Sequence, residues 1–66
     1  MTGKFIGETS MGFVKGRTYD IKSRVRMVYK GSSKMMCICI YDKNSNAWCP
    51  YSNLEAVMEN WVIMRG

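Results

Sequence analysis

The stretch YDIKSRVRMVYK, from Tyr19 to Lys30, alternates in side-chain character along its whole length. Tyr19, Ile21, Val25, Met27 and Tyr29 share one parity, interrupted only by Ser23. Asp20, Lys22, Arg24, Arg26 and Lys30 share the other, with Val28 as the exception. Successive side chains of an extended chain point to opposite faces, so this pattern predicts a half-buried strand with the apolar parity inward. At about 3.3 Å per residue such a strand runs roughly 40 Å. A chain of 66 residues makes one domain at most and cannot hold that length straight. The strand is therefore expected to bend, to carry a bulge or break near Ser23, or to project as an arm. A strand that bends to serve two sheets is a common device in small barrels.

The flanking segments supply the other elements. KFI, Lys4 to Ile6, is a candidate first strand, followed by a glycine-punctuated loop. GSSK, Gly31 to Lys34, reads as a turn. MMCICIY, Met35 to Tyr41, is apolar at both parities, as expected of a strand with little solvent on either face. DKNSN, Asp42 to Asn46, is a dense turn cluster. Ala47 to Cys49 resumes a strand antiparallel to the previous one, and Pro50 is expected to end it for want of a donor. Ser52-Asn53-Leu54-Glu55 fits a capping box, and Leu54, Val57, Met58 and Trp61 fall on one helical face. Asn60 is expected to end the helix, and Trp61 to Arg65 to form a last strand beside the first. The fold class that follows is mainly β: a small five-stranded SH3-like barrel with one short helix before the last strand, residues 1–66 forming a single domain. An OB-like barrel, whose helix usually falls between strands three and four, is the second choice. An open sheet capped by a longer helix is the third.

The loop GETSMGFVKG, Gly7 to Gly16, raises the question of a phosphate cradle. It matches neither G-x4-G-K-[ST] nor G-x-G-x-x-G, since Phe13 and Val14 follow Gly12 and no helix follows the glycines. Its glycines are better read as shaping a broad loop, pinned to the core by Phe13 and Val14. Thr9, Ser10 and the loop amides, helped by Lys15 and Arg17, remain candidate contacts for an anion.

Charge and missing residue types narrow the function classes. Ten Lys and Arg against five Asp and Glu give a net charge of +5, which favours anionic partners. The absence of histidine removes the imidazole base, and no pair of the five acids has a spacing that demands a shared site. Cys49 has no histidine to activate it. No catalytic residue, metal site or cofactor is therefore expected. Cys37, Cys39 and Cys49 form no C-x2-C knuckle, and Cys37 and Cys39 read as small apolar core residues. The longest apolar run is far short of the roughly 20 residues a membrane-spanning helix needs. The N-terminus lacks the layout of a signal peptide, so a cytoplasmic location is expected. Seven methionines in so short a chain suggest a weakly held homo-oligomer.

Binding is the class the residues favour. Lys22, Arg24 and Arg26 project from one side of the long strand, with Lys30 at its end. Alternate side chains stand about 6.5 to 7 Å apart, similar to successive phosphates along one nucleic-acid strand. Tyr29, Trp48 and Tyr51 would add stacking if exposed, Tyr29 being the weakest of the three because it has the core parity. Two further motifs, G-E-T-S-x-G-F-x-K-G-x-x-Y-x-I in the first third and A-W-C-P-Y-S-x-L-E in the last, resemble a pattern in small uncharacterised SH3-like proteins encoded by phages and prophages of Gram-positive bacteria. The Arg and Met content of the central strand departs from that pattern, so no ligand is carried over. The resemblance implies a non-enzymatic accessory protein that binds and blocks a host protein or an anionic nucleotide signal. A nucleic-acid-binding module using the basic strand face is the alternative, and a virion assembly component is another.

Overall fold

The computed structural model describes residues 1–64. The chain runs β1 (Thr2–Phe5), β2 (Thr18–Lys30), β3 (Ser33–Asp42), β4 (Trp48–Tyr51), α1 (Leu54–Asn60) and β5 (Trp61–Met64). The strands form one antiparallel sheet in the order β4-β3-β2-β1-β5. The fold is thus mainly β, with five strands and a single short helix before the last of them. Among the described residues no backbone ladder joins β4 to β5, so hydrogen bonds do not close the sheet. Arg65, expected at the end of the last strand, lies outside the described residues.

The long strand changes partners without interruption. Thr18 to Asp20 pair with β1, and Ile21 to Lys30 pair with β3. The switch falls between Asp20 and Ile21, slightly earlier than Ser23. One strand therefore serves both halves of the sheet. Its far half also projects: the molecule measures 37 × 20 × 20 Å, and the long axis reflects the β2–β3 hairpin.

That projection overturns the expected burial. Val25, Met27 and Tyr29 carry the core parity, yet they are 65%, 51% and 69% exposed. Of this parity only Ile21 is buried, with Tyr19 half-buried. Met35 and Met36 are likewise exposed, so the start of β3 is not the two-sided buried strand its composition suggests. The physical reason is coverage. β1 pairs with just three residues of β2, Thr18 to Asp20, and α1 packs against β4 and β5, so neither reaches the far half of the β2–β3 hairpin.

The core gathers around Trp61, which is fully buried. Its ring lies 5.0 Å from Phe5, 4.9 Å from Phe13 and 5.9 Å from Tyr19, centroid to centroid. Phe13 pins the long loop as expected, whereas Val14 stays exposed. A two-residue turn delivers Phe13 to the core. Ser10 and Phe13 exchange backbone hydrogen bonds of 3.0 and 2.9 Å around Met11 and Gly12. Both central residues have positive φ, 55° and 89°, as a type I′ turn requires. Gly12 thus serves chain reversal.

Two local expectations need correction. β4 runs through Pro50, which pairs with Cys39, and ends at Tyr51. An edge strand tolerates a missing donor, so the proline does not terminate it. The helix cap is Asn53 and not Ser52: Asn53 is extended, and its side chain accepts a 2.8 Å bond from the Ala56 amide. Asn53 therefore satisfies one of the free amides of the first turn, and the Ser52–Glu55 capping box does not form. Only Val57 of the helix is buried, while Leu54 and Met58 face outward. The helix does end at Asn60, whose side-chain amide donates to the Ala56 carbonyl at 2.7 Å.

Candidate nucleic-acid interface

The β2–β3 register decides which residues share the basic face. Lys22 stands opposite Tyr41, Arg24 opposite Cys39, Arg26 opposite Cys37, and Lys30 opposite Ser33. All four cations are exposed. On the far side of β3, Tyr41 pairs with Trp48 of β4. Lys22, Tyr41 and Trp48 thus form a row across three strands. The Tyr41 and Trp48 rings stack with centroids 5.9 Å apart and planes 20° apart, and the Lys22 ammonium lies 5.8 Å from the Tyr41 centroid.

Arg26 ties the ladder to this row. Its guanidinium donates to the Tyr41 hydroxyl at 2.7 Å, which raises its already high pKa. To reach Tyr41 from a position opposite Cys37, the side chain must pass over Cys39. Cys39 is accordingly fully covered, and Cys37 is buried beside it. Burial pushes the Cys39 thiol up and the neighbouring Cys37 adds to the shift, while Arg26 acts the other way. Both cysteines are buried as expected, but beneath the basic face and not in the aromatic core.

The electrostatics of the face are one-sided. Among the described residues no carboxylate forms an ion pair with Lys22, Arg24, Arg26 or Lys30. Asp20, the acid of the same parity, is held by the Met1 amino group at 3.4 Å and by Lys43 at 3.6 Å. At the arm end the face opens into a cavity of about 300 Å³ lined by Val28, Tyr29, Lys30, Met35, Cys37, Pro50 and Ser52. Its walls are mostly apolar, with Lys30 the one charged residue among those named.

The other candidate residues do not join this group. Tyr51 is buried on the opposite face, where its hydroxyl accepts the Trp61 indole N–H at 2.9 Å. Tyr29 is exposed but also faces away, with the Lys34 ammonium 5.6 Å from its ring. Thr9 accepts from the Lys15 amide at 3.0 Å and Ser10 donates to the Glu8 carbonyl at 3.1 Å, so both hydroxyls hold the loop's own shape. Backbone bonds tie Gly16 and Arg17 to Phe5. Lys15 and Arg17 therefore belong to the β1–β5 half, and the ladder belongs to the β2–β3–β4 half. Tyr41 is the residue that sequence reasoning missed. It closes an apolar run and looks like core until the hairpin register sets it between Lys22 and Trp48.

Among the described residues no group of three His, Cys, Asp or Glu side chains can hold a metal ion, and no helix is long and apolar enough to cross a membrane. Compared with known proteins, the chain matches no family model, no curated protein and no solved structure. What remains is the chemistry of the face: cations at strand spacing, a stacked aromatic pair beside them, and an apolar hollow at one end. Such a surface suits a polyanion with unpaired, stackable bases.

Proposed function

We propose that the chain is a small SH3-like module that binds single-stranded nucleic acid along β2. The strand order β5-β1-β2-β3-β4, the long strand shared between two halves and the helical turn before the last strand support the SH3-like reading. The observation that carries the function is the row Lys22–Tyr41–Trp48 with Arg26 bonded to its centre. Stacking needs unpaired bases, which favours single strands over duplex. From Lys22 to Lys30 the ladder spans about 26 Å, the length of roughly four steps between successive phosphates.

Fluorescence anisotropy with labelled mixed-sequence DNA and RNA tests this directly. Binding is expected near 50 mM salt and should weaken by about 0.7 log units per phosphate contact for each tenfold rise in salt. The double change Arg24→Glu and Arg26→Glu is expected to abolish binding, and Trp48→Ala to weaken it by about 5- to 100-fold. No detectable binding at 50 mM salt overturns the proposal, and so does a preference for duplex.

A second reading follows from the cavity at the arm end. A hollow of about 300 Å³ with mostly apolar walls and Lys30 in its lining has the scale to take one base, with a cation for its phosphate. In that reading the protein sequesters a nucleotide signal, as a phage-encoded inhibitor would. Tight binding of a mononucleotide or dinucleotide, undiminished by excess oligonucleotide, would favour it over the first.

A further inference from the structure

The face opposite the ladder carries the least expected feature of the molecule. Val25, Met27 and Tyr29 of β2 stand there, with Ile38, Met36 and Lys34 directly across on β3. Met36 is 66% exposed, matching the exposure of its β2 neighbours. Toward the body this strip runs into an apolar groove of about 140 Å³, formed where Met1, Ile38 and Ile63 meet Leu54 and Met58 of α1. Leu54 and Met58 are themselves more than half exposed. The uncovered parity of β2 and the uncovered side of α1 are therefore one continuous apolar surface.

We infer that two copies of the chain associate through this surface, the arm of each lying over the groove of the other. Charge argues for a second copy as the occupant. Molecules that each carry +5 repel one another, and they meet most readily through a face that is nearly free of charge. Only Lys34 lies on the strip, with its ammonium over Tyr29, while Lys22, Arg24, Arg26 and Lys30 point the other way. An acidic partner would be drawn to the ladder face, and a nucleic acid finds almost no cations here. Shape argues likewise. The protruding strip carries Met27 and Met36 opposite each other at its middle, unbranched side chains that adapt to irregular apolar hollows, and the same face of the same chain supplies such a hollow. A two-fold arrangement with antiparallel arms satisfies both strips and both grooves at once and closes on itself. The area is also adequate. Six large apolar residues at half exposure or more present on the order of several hundred Å², the size at which a patch marks an interaction site. That approaches the roughly 800 Å² per partner of a stable interface. The dimer would carry its two basic ladders on its outer faces, so its failure or success is independent of the nucleic-acid reading.

Sedimentation equilibrium on the full chain, from about 1 to about 200 µM, is the test. A reversible dimer is expected. The double change Met27→Glu and Met36→Glu should weaken it at least tenfold, and the double change Arg24→Glu and Arg26→Glu should leave it in place. Methionine-methyl NMR of the unaltered protein provides a second reading that needs no variant. On dilution the Met27, Met36 and Met58 signals should move, while Met35, on the opposite face of the arm, should not. A monomer at every concentration overturns the inference and leaves the face to a different partner. A dimer that survives both glutamates, or whose dilution moves Met35 instead, overturns it by placing the contact elsewhere.

Discussion

The indole N–H of Trp61 donates to the hydroxyl of Tyr51 at 2.9 Å. This single bond links the two edge strands, β5 and β4, which no ladder joins among the described residues. Both side chains are buried, so each satisfies the other's only polar group on that side of the core. Tyr51→Phe leaves a buried indole N–H without an acceptor. It is expected to cost about 1–3 kcal/mol, a large part of the stability of so small a domain. Urea denaturation measures it, and a change below about 0.5 kcal/mol would show that the seam does not depend on the bond.

Burial of Tyr51 and Cys39 makes stability depend on alkaline pH. Desolvation raises the Tyr51 phenol well above its ordinary value, despite the opposing effect of the Trp61 bond. It raises the Cys39 thiol as well. In both cases the unfolded chain loses its proton first, so above the unfolded pKa the folded state binds more protons and stability falls as pH rises. Full stability should hold below about pH 8, decline from about pH 8.5 as cysteine ionises in the unfolded chain, and decline further above about pH 10 through tyrosine. Tyr51→Phe should flatten the upper part of that curve and Cys39→Ala the lower part, whatever each does to the plateau. Urea midpoints that stay level to pH 11 in the unaltered protein would contradict this.

Gly3 is required by close packing. A Cβ there would lie 2.7 Å from Ile21 Cδ1 and 2.9 Å from Trp61 Cε3. Neither neighbour can retreat easily, because both are fully buried. Gly3→Ala is therefore expected to destabilise by about 1–3 kcal/mol through overpacking. Thermal unfolding checks it, and an unchanged melting temperature would mean that the core around Trp61 is looser than its contacts indicate.

The helix cap offers a paired comparison. Asn53→Ala removes the acceptor of the Ala56 amide and should cost about 1 kcal/mol. Ser52→Ala should stay within about 0.5 kcal/mol, since Ser52 holds no cap. The reverse ranking would restore the Ser52–Glu55 capping box.

Much of the fold was legible in local chemistry. Alternation from Tyr19 to Lys30 marked the long strand, DKNSN marked the reversal before β4, and Asn60 marked the end of the helix. The basic ladder was legible too, because parity alone puts Lys22, Arg24 and Arg26 on one face. The aromatic row was not. Reading GSSK as a four-residue turn would set Lys30 opposite Met35 and Arg24 opposite Tyr41. The actual turn is Gly31–Ser32, so Lys30 pairs with Ser33, and Lys22 meets Tyr41. A slip of two residues keeps every side chain on its face and changes only its neighbour. Periodicity cannot detect it.

Sequence by itself determined the β class, the approximate strand boundaries and which residues of β2 stand together. Those depend on dihedral preference, turn chemistry and a side-chain period of two, all of which are local. Tertiary structure decided which of those faces is covered. Ile21 and Val25 have the same parity and similar hydrophobicity, yet one is fully buried and the other is 65% exposed. The difference is that the core of Trp61 and Phe5 reaches Ile21 and stops there, and how far a covering layer extends is set by distant strands rather than by the strand it covers.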